Sequence, residues 1–461
     1  MKFSRIFTTI FCMIFCTYIF SVCSCDIHSD EYYTEGLQFT LSVEKTYYSV
    51  SKGTATDSNV VIPSMYKNKP VTRMDVGAFI EYEELEKITI PNTISTISSS
   101  AFYNCKSLTT VLIPNSIEYI GGNAFEGCSS LTSIIIPNSI KNIWFQAFAN
   151  CSSLSNINIP DGVETIGYRA FYNCDSIKNI NIPNSVSELW GGAFENCDSL
   201  TSVTIGTGVK SIPDHIFKDC VSLSDVNLNE GITHINNVAF YNCISLKNIV
   251  IPKNVEKLSD TAFYRCSSLE NITVDDENKT YDSRNNCNAI IETSTNRLVV
   301  GCKNTIIPNG VKTISGDAFQ MSPSNIIIPE SVISINNFAF LGRDLISNIV
   351  VDKNNKTYDS RNNCNAIIES DTNELVFGCK NTIIPDGVTS IGSSAFFQCS
   401  TLESIVIPSS INKVCQNAFY GCESLSTVYF MGTKEQWQGI YFEYHGNGKL
   451  LNANIVFNYV A

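Results

Sequence analysis

Cysteine is the reactive residue type that this chain places most regularly. Eight of its 19 cysteines form a row with one constant interval. The row begins with Cys105 and Cys128 and ends at Cys266. Thiolates can bind zinc or exchange disulfides, but a zinc site needs ligands that converge as a tetrahedron, which a straight row does not provide. A buried cysteine packs as a small hydrophobic side chain. We therefore interpret the row as part of a core and not as a metal or redox site.

Other residues with catalytic potential form no recognisable arrangement. The four histidines are His28, His215, His234 and His445. No pair of them has the spacing of metal ligands, and the acidic run at 275–277 lacks the spacing of a calcium loop. The sequence contains no serine nucleophile elbow and no glycine-rich phosphate loop between a strand and a helix. We therefore expect no enzymatic activity, no cofactor and no bound metal.

The composition narrows the class of partner. The chain has 461 residues, of which 44% are hydrophobic and 16% are charged, so it is too apolar to be disordered. Lys and Arg total 31 against 44 Asp and Glu, which gives a formal net charge of −13. Proteins that bind nucleic acid present a basic face, so we do not expect a nucleic-acid partner.

The N-terminus has the features of an export signal. Two basic residues precede an uncharged apolar run at 6–20, which is short for a membrane span. We predict a signal peptide over residues 1–24, with an uncleaved anchor as the less favoured alternative. Residues 22–25 resemble a bacterial lipobox, in which Cys25 would carry the lipid, whereas an ordinary signal peptidase site remains open. The protein is accordingly expected to be secreted, at the cell surface or attached to an outer membrane, with a lipid as its membrane contact.

A sequence repeat of constant length must position the cysteine row. Phenylalanine recurs with the same period as cysteine from Phe79 to Phe263, and the series resumes with Phe319, Phe340, Phe396 and Phe419. Most regular repeats also contain a short strand that ends in Ile-Pro. A single repeat cannot bury its apolar side chains, whereas stacked copies bury them in continuous columns. The strands are too widely spaced for hairpins, so we predict that each pairs in parallel with its counterpart in the next repeat.

The repeat resembles a known family. Residues 128–140 read Cys-Ser-Ser-Leu-Thr-Ser-Ile-Ile-Ile-Pro-Asn-Ser-Ile, a pattern similar to the BspA-like leucine-rich-repeat family of cell-surface proteins, and the similarity extends over roughly 60–430. This resemblance implies a repeat solenoid, a right-handed leucine-rich-repeat array with a parallel β-sheet, mostly β and coil. It also implies a non-catalytic role in binding or adhesion, with a protein or glycan on a host or microbial surface as partner. A structural or carbohydrate-capturing surface module without a host-binding role is the alternative.

The repeat boundaries divide the chain into segments. Residues 25–75 lack the regular repeat and are assigned to an N-terminal linker and cap, in which residues 60–63 look like a first, degenerate coil. Residues 76–430 form the predicted solenoid. Residues 431–461 are apolar but off-period, and we expect them to form a β-rich C-terminal cap, because a solenoid must protect its open end from aggregation.

Two inserts interrupt the solenoid, at about 275–305 and 352–382. They are near copies of one another, since residues 278–292 are identical to residues 355–369. Each copy has two short apolar segments around a four-residue turn, which predicts a β-hairpin. The inserts therefore record an internal duplication.

The predicted hairpins bring cysteines together. Pairing Glu292 with Arg297 across the first turn places two cysteines opposite one another, and the same register does so in the second copy. The two pairs are Cys287 with Cys302 and Cys364 with Cys379. Opposed side chains are close enough for a disulfide, whereas two packed free thiols in each hairpin are the alternative.

Two sets of outward-facing residues are candidates for binding. In a strand of the form L-x-x-I-x-I-P, alternate side chains face solvent, and in the middle repeats they form a polar stripe. The stripe contains Asn156, Asn158, Asn179, Asn181, Ser202, Thr204, Asp225, Asn227 and Asn248, of which the Asn and Asp residues up to 227 are the binding candidates. A second set, Trp144, Tyr168 and Trp190, precedes the Phe positions. Such side chains suit hydrogen bonding to a glycan or peptide and anchoring of an interface, although solubility of the sheet and packing against neighbouring coils explain them equally well.

Overall fold

The computed structural model describes residues 33–319, 323–340 and 343–460. Within these residues the chain winds as a β-solenoid of about 18 turns, with parallel strands and little helix, which confirms the predicted fold class. The signal peptide predicted at 1–24 and the lipidation predicted at Cys25 lie outside the described residues.

Each regular coil contributes a strand of three or four residues to a first parallel face. Inward Ile and Val alternate with outward polar residues, and Pro ends most of these strands because it has no N–H to donate to the next coil. Numbered along the whole chain, the strands of the first face are β3 (Asn59–Val61), β6 (Lys87–Thr89), β8 (Thr110–Leu112), β10 (Ser133–Ile135), β12 (Asn156–Asn158), β14 (Asn179–Ile182), β16 (Ser202–Ile205), β18 (Asp225–Asn227), β20 (Asn248–Ile251), β22 (Asn271–Val274), β27 (Asn325–Ile328), β29 (Asn348–Val351), β34 (Ser404–Ile407), β36 (Thr427–Phe430) and β38 (Asn454–Val456).

A second, shorter strand in each coil forms a second parallel face. The sequence suggested only one face, because the second strand is in most coils just two residues long. Its strands are β5 (Lys69–Met74), β7 (Thr96–Ile97), β9 (Tyr119–Ile120), β11 (Asn142–Ile143), β13 (Thr165–Ile166), β15 (Glu188–Leu189), β17 (Ser211–Ile212), β19 (His234–Ile235), β21 (Lys257–Leu258), β26 (Thr313–Ile314), β28 (Ser334–Ile335), β33 (Ser390–Ile391), β35 (Lys413–Val414) and β37 (Tyr441–Phe442).

The register between coils follows the repeat. On the first face, Ile134 pairs with Val111 of the preceding coil and with Ile157 of the following coil, which occupy the same position in their own repeats. The same rule on the second face pairs Ile166 with Ile143 and Leu189. Equivalent side chains therefore line up in columns along the solenoid axis.

The Phe and Cys columns form the centre of the core. The ring of Phe171 stacks between those of Phe148 and Phe194, at centroid distances of 5.4 and 5.3 Å. The Cys197 thiol donates a hydrogen bond to the Phe171 carbonyl oxygen at 3.2 Å, and the same contact recurs from coil to coil. The cysteines of the row are buried and free, as expected for core packing. Burial raises the pKa of the Cys151 thiol to about 12.

The turn around most of the regularly spaced Phe residues contains two residues in the left-handed region. Around Phe240 these are Val238 at φ 48° and Asn242 at φ 59°. Asn tolerates this conformation because its short side chain makes local hydrogen bonds, whereas a β-branched residue is strained in it. Asn173 and Asn196 occupy the position of Asn242 in other coils. The left-handed backbone at this position therefore explains why Asn directly precedes the core Cys in several repeats.

The N-terminal segment extends both faces. Its additional strands are β1 (Gln38–Leu41), β2 (Tyr48–Ser51) and β4 (Met65–Tyr66). Strand β1 is antiparallel to β2, and β2 is parallel to β5. Strand β3 pairs in parallel with β6, so residues 59–63 do form a first coil.

The C-terminal segment is less purely β than expected. It contains helices at Lys434–Gln438 and Gly448–Leu451, the first of which begins with a capping box between Thr433 and Gln436. Trp437 of this helix packs edge-on against Phe430 at a centroid distance of 5.3 Å. Strands β37 and β38 nevertheless continue the two faces.

Each insert contains a three-stranded antiparallel ribbon. The strands are β23 (Tyr281–Asp282), β24 (Ala289–Glu292) and β25 (Arg297–Gly301) in the first copy, and β30 (Tyr358–Asp359), β31 (Ala366–Glu369) and β32 (Glu374–Gly378) in the second. Single-turn 3-10 helices lie at Arg284–Asn286, Arg343–Leu345 and Arg361–Asn363. The last strand of each ribbon pairs in parallel with the next coil, so the ribbons are built into the second face.

The predicted opposition of cysteines in these hairpins is wrong. Glu292 does pair with Arg297, but a bulge between Ile290 and Ile291 shifts the register, and the second hairpin has the equivalent bulge. The added residue moves each cysteine out of line with its expected partner. Cys287 and Cys302 are accordingly not bridged to one another, nor is Cys364 bridged. The Cys379 thiol contacts the Asn365 carbonyl oxygen at 3.7 Å.

Candidate binding surface

The polar residues predicted to face outward do so. Strand β14 alternates exposed Asn179 and Asn181 with buried Ile180 and Ile182. The same alternation exposes the predicted residues of β12 and β18, namely Asn156, Asn158, Asp225 and Asn227. Because the strands stack in register, these side chains form two parallel columns along the first face.

The two columns differ in their internal hydrogen bonds. In the column that contains Asn179, the Asn179 amide oxygen accepts a hydrogen bond from the Ser202 hydroxyl at 2.6 Å. Further along this column, the Asn271 amide donates to the Asn248 amide oxygen at 2.8 Å. Amides that bond to one another stabilise the stack and leave less capacity for a ligand.

The second column, which we call the outer polar column, is unpaired. It consists of Asn158, Asn181, Thr204 and Asn227, whose side chains are exposed. We find no side-chain hydrogen bond for these four residues within the described part of the chain. Their amide and hydroxyl groups therefore bond to water and are available to a ligand.

Three residues of the outer polar column line an open groove of about 730 Å³. These residues are Asn181, Thr204 and Asn227, and turns that follow the strands of the first face also line the groove. Lys210 and Asp161 belong to this lining. The groove therefore combines amides, a hydroxyl and two charges of opposite sign.

A local change in the repeat creates the groove. Strands β14 and β20 are followed by Pro183 and Pro252, but the two coils between them carry Gly206 and Asn229 at this position. A Cβ atom on Gly206 would lie 2.4 Å from the carbonyl carbon of Pro183. The coil approaches its neighbour too closely for a larger residue at this position. The surface is therefore lower here than in the coils that carry Pro.

The floor of the groove is held by its own hydrogen bonds. The Asn229 amide donates to the carbonyl oxygens of Gly206 and Val209 at 2.7 and 3.1 Å, and its oxygen accepts from the Gly231 N–H. Asn278 makes the equivalent contacts in a later coil, so this role of Asn229 is structural. The groove is thus rigid without a ligand.

The charges around the groove leave a small negative excess. Lys253 contacts both Glu230 and Glu277 at 3.2 Å, so it offsets only one of these two carboxylates. The Lys210 ammonium donates to the Thr207 carbonyl oxygen at 2.9 Å and remains exposed. Lys210 and Asp161 leave no strong excess of either sign.

The remaining polar candidates lie beside the groove. Asn156, Asn158 and Asn179 line a shallower depression of about 580 Å³ together with Ile135 and Lys178. Asp225 is exposed in the same column as Asn179, but it is not among the residues that line the groove. The structure therefore divides the predicted polar stripe between two neighbouring concavities.

The aromatic candidates lie on another side of the solenoid. Trp144, Tyr168 and Trp190 follow strands β11, β13 and β15 of the second face. Their exposed fractions are 37%, 47% and 54%, so each packs partly on its surroundings and offers part of its ring to solvent. The structure does not bring them together with the outer polar column.

Sequence reasoning placed Thr204 on the outward-facing stripe but missed Lys210 and Asp161. These two residues reach the groove from turns of different coils. The signal that identifies the location is the loss of Pro at positions 206 and 229. That change marks where the regular surface is interrupted.

Neither a metal centre nor a membrane span is evident in the residues that the structure describes. Over the three described ranges, no group of three or more His, Cys, Asp and Glu side chains is arranged to hold a metal ion. In the same ranges, we find no helix with the length and apolar character needed to cross a bilayer.

Comparison with known sequences identifies the repeat. The profile described as BspA type leucine rich repeat region (6 copies) matches residues 72–201, 190–296, 290–376 and 366–449. Together these matches span most of the chain. No curated protein sequence matches the chain significantly.

Two solved structures of bacterial leucine-rich-repeat proteins are similar to this chain. A leucine rich cell surface protein from Faecalibacterium prausnitzii is 28% identical, with a TM-score of 0.50, over 90% of this chain and 98% of that protein. A leucine-rich repeat protein from Bacteroides ovatus is 20% identical, with a TM-score of 0.45, over 93% of this chain and 99% of that protein. The similarity to the first protein thus extends along nearly the whole of both chains.

Proposed function

The chain belongs to the BspA-type leucine-rich-repeat family, and on this basis we propose that it is a non-catalytic binding protein of a cell surface. Its partner would be a protein or a glycan on a host or microbial surface. The observation that carries the proposal is the outer polar column, whose unpaired side chains recur in adjacent coils. A rigid solenoid holds such groups at fixed spacing and permits many contacts with one extended partner.

The location is part of the same proposal. The similar protein from Faecalibacterium prausnitzii is described as a cell surface protein, and residues 1–24 have the composition of a signal peptide. Cys25 would carry a lipid if the lipobox is used. Mass spectrometry of the mature N-terminus tests this step, because a lipid-modified Cys25 and an unmodified N-terminus differ in mass.

A binding screen tests the function. The purified chain without residues 1–24 is applied to a panel of extracellular-matrix proteins and to cells of other microbes. Each saturable interaction is measured again after Asn158, Asn181 and Asn227 are changed together to Arg. We expect this triple variant to lose binding, because long charged side chains cover the outer polar column.

The matched control changes three exposed asparagines elsewhere on the first face, namely Asn248, Asn271 and Asn325, to Arg. It alters the net charge equally and should keep the interaction. Equal loss in both variants would mean that charge, and not this column, determines binding. Absence of saturable binding to the whole panel would contradict the proposal and favour a purely structural surface module.

A further inference from the structure

We propose that the groove beside Gly206 and Asn229 is a binding site for a neutral oligosaccharide. The inference rests on the proposed function, because it assigns a ligand class to one part of the same face. The site consists of Asn181, Thr204 and Asn227 together with Lys210 and Asp161.

The hydrogen-bonding groups of the groove match those of a sugar. Asn side chains donate and accept, and so does the Thr204 hydroxyl. A sugar hydroxyl likewise donates one hydrogen bond and accepts others. Because Asn181, Thr204 and Asn227 make no side-chain hydrogen bond within the described residues, a ligand competes only with water for them.

The spacing of the column disfavours an extended peptide along the same axis. Adjacent coils place equivalent side chains about 4.8 Å apart. A peptide in extended conformation repeats its groups on one side every two residues, or about 6.7 Å, and so falls out of step with the column after one contact. A saccharide has several hydroxyls on each ring and does not depend on a single repeat distance.

The charge of the groove favours a ligand without charge. Lys210 and Asp161 offset each other, and Glu230 shares Lys253 with Glu277 at 3.2 Å each, so the surroundings of the groove carry a small negative excess. An anionic glycan would face Asp161 without a surplus of positive charge, and the protein as a whole carries a net charge of −13. Uncharged hydroxyls are satisfied without this repulsion.

The groove is also built to a suitable size and stiffness. Its volume of about 730 Å³ lies within the range of about 300–1,000 Å³ that is common for small-molecule sites. The Asn229 amide fixes the two coils at its floor through three hydrogen bonds. A preformed site loses little conformational entropy when a ligand binds.

A printed panel of neutral hexose and N-acetylhexosamine oligosaccharides, with sulfated and sialylated counterparts, tests the inference on the chain without residues 1–24. We expect binding to at least one neutral oligosaccharide and not to its charged counterparts. The Asn181→Ala/Asn227→Ala variant should bind at least about ten-fold more weakly, since two hydrogen-bonding groups are lost. Thr204→Val keeps the shape of the side chain and should also weaken binding.

The matched control is Asn248→Ala, which removes an exposed amide of the first face outside the groove. Its affinity should equal that of the unaltered chain, and the thermal unfolding of all variants should confirm that they are folded. The inference is wrong if no neutral oligosaccharide binds, or if binding persists in both groove variants.

The two proposals fail in different ways. If matrix proteins or cells bind through the outer polar column while no neutral oligosaccharide of the panel binds, the oligosaccharide site is excluded and the proposed function stands. If neither panel gives saturable binding, both proposals are excluded. Preference for sulfated or sialylated glycans would overturn the charge argument and with it this inference.

Discussion

At the scale of single residues, the Phe column supplies the largest buried side chains. Phe171 is fully buried and contacts the rings of two neighbouring coils. We expect Phe171→Ala to lower the free energy of unfolding by about 3–5 kcal/mol, because the truncation leaves a cavity between stacked rings. Denaturant titration measures this loss, and a decrease below about 1 kcal/mol would contradict the role of the column.

Val238, in the turn before Phe240, has a strained backbone because its side chain is β-branched. Val238 has a φ of 48°, a conformation that costs a β-branched residue about 1–2 kcal/mol. We expect Val238→Asn to raise the free energy of unfolding by about 1 kcal/mol, since Asn adopts this conformation readily. The reciprocal change Asn242→Val, at a left-handed position of the same turn, should lower it. Equal effects of the two variants would show that side-chain packing, and not backbone conformation, dominates at these positions.

At the scale of elements, the cysteine column makes stability depend on pH. Burial raises the pKa of Cys151 to about 12, whereas an unfolded thiol has a pKa of about 8.5. Above pH 8.5 the unfolded chain releases the proton and the folded chain keeps it. The contribution of the thiol is therefore complete below pH 8.5 and is lost progressively as the pH rises towards 12.

We expect each such thiol to lower the free energy of unfolding by about 1.4 kcal/mol between pH 7 and 9.5. Urea titrations at both pH values, in the presence of a reductant, measure the difference. In Cys151→Ala the difference should be smaller by that amount, although the variant is less stable overall. An unchanged difference would mean that this thiol ionises as readily in the folded chain as in the unfolded one.

The elements also show what sequence can and cannot predict. The constant repeat length predicted the coil, the first face and the core columns, because identical spacing forces identical pairing, as Ile134 with Val111 and Ile157 shows. The second face was missed because a strand of two residues has no detectable alternation. The bulge at Ile290 was missed because the pattern of a hairpin does not specify an added residue.

The candidate site was predictable in part for the same reason. Outward exposure of Asn181 and Asn227 follows from strand alternation alone. The groove itself depends on how closely Gly206 approaches Pro183 and on side chains that converge from turns of separate coils, such as Lys210 and Asp161. Such convergence is a property of the stacked structure and not of one repeat.

At the scale of the whole molecule, the buried side chains form three clusters that meet at the inserts. The first cluster extends from Tyr48 to Cys302, the second from Cys287 to Cys379 and the third from Cys364 to Leu450. In a solenoid each coil contacts mainly its neighbours, so stability is a sum of local terms. The chain is therefore most easily divided into separately unfolding blocks at the inserts.

We therefore expect unfolding in more than one step. Hydrogen exchange at intermediate urea concentrations, read by mass spectrometry, should show blocks of residues that lose protection together, with boundaries near residues 287–302 and 364–379. Phe419→Ala should lower the stability of the C-terminal block and leave residues 48–280 nearly unchanged. Uniform loss of protection along the whole chain would show that the clusters unfold as a single unit.

The duplicated inserts have a consequence for the gene as well as for the fold. Because residues 278–292 and 355–369 are identical, recombination between the two copies removes or adds the unit from Asn278 up to Asn355 without creating a new junction sequence. The ribbon in each copy occupies the same place in the second face, so the product would retain the register on both sides of the junction. Such an event would change the length of the molecule, and the length of its first face, in a single heritable step.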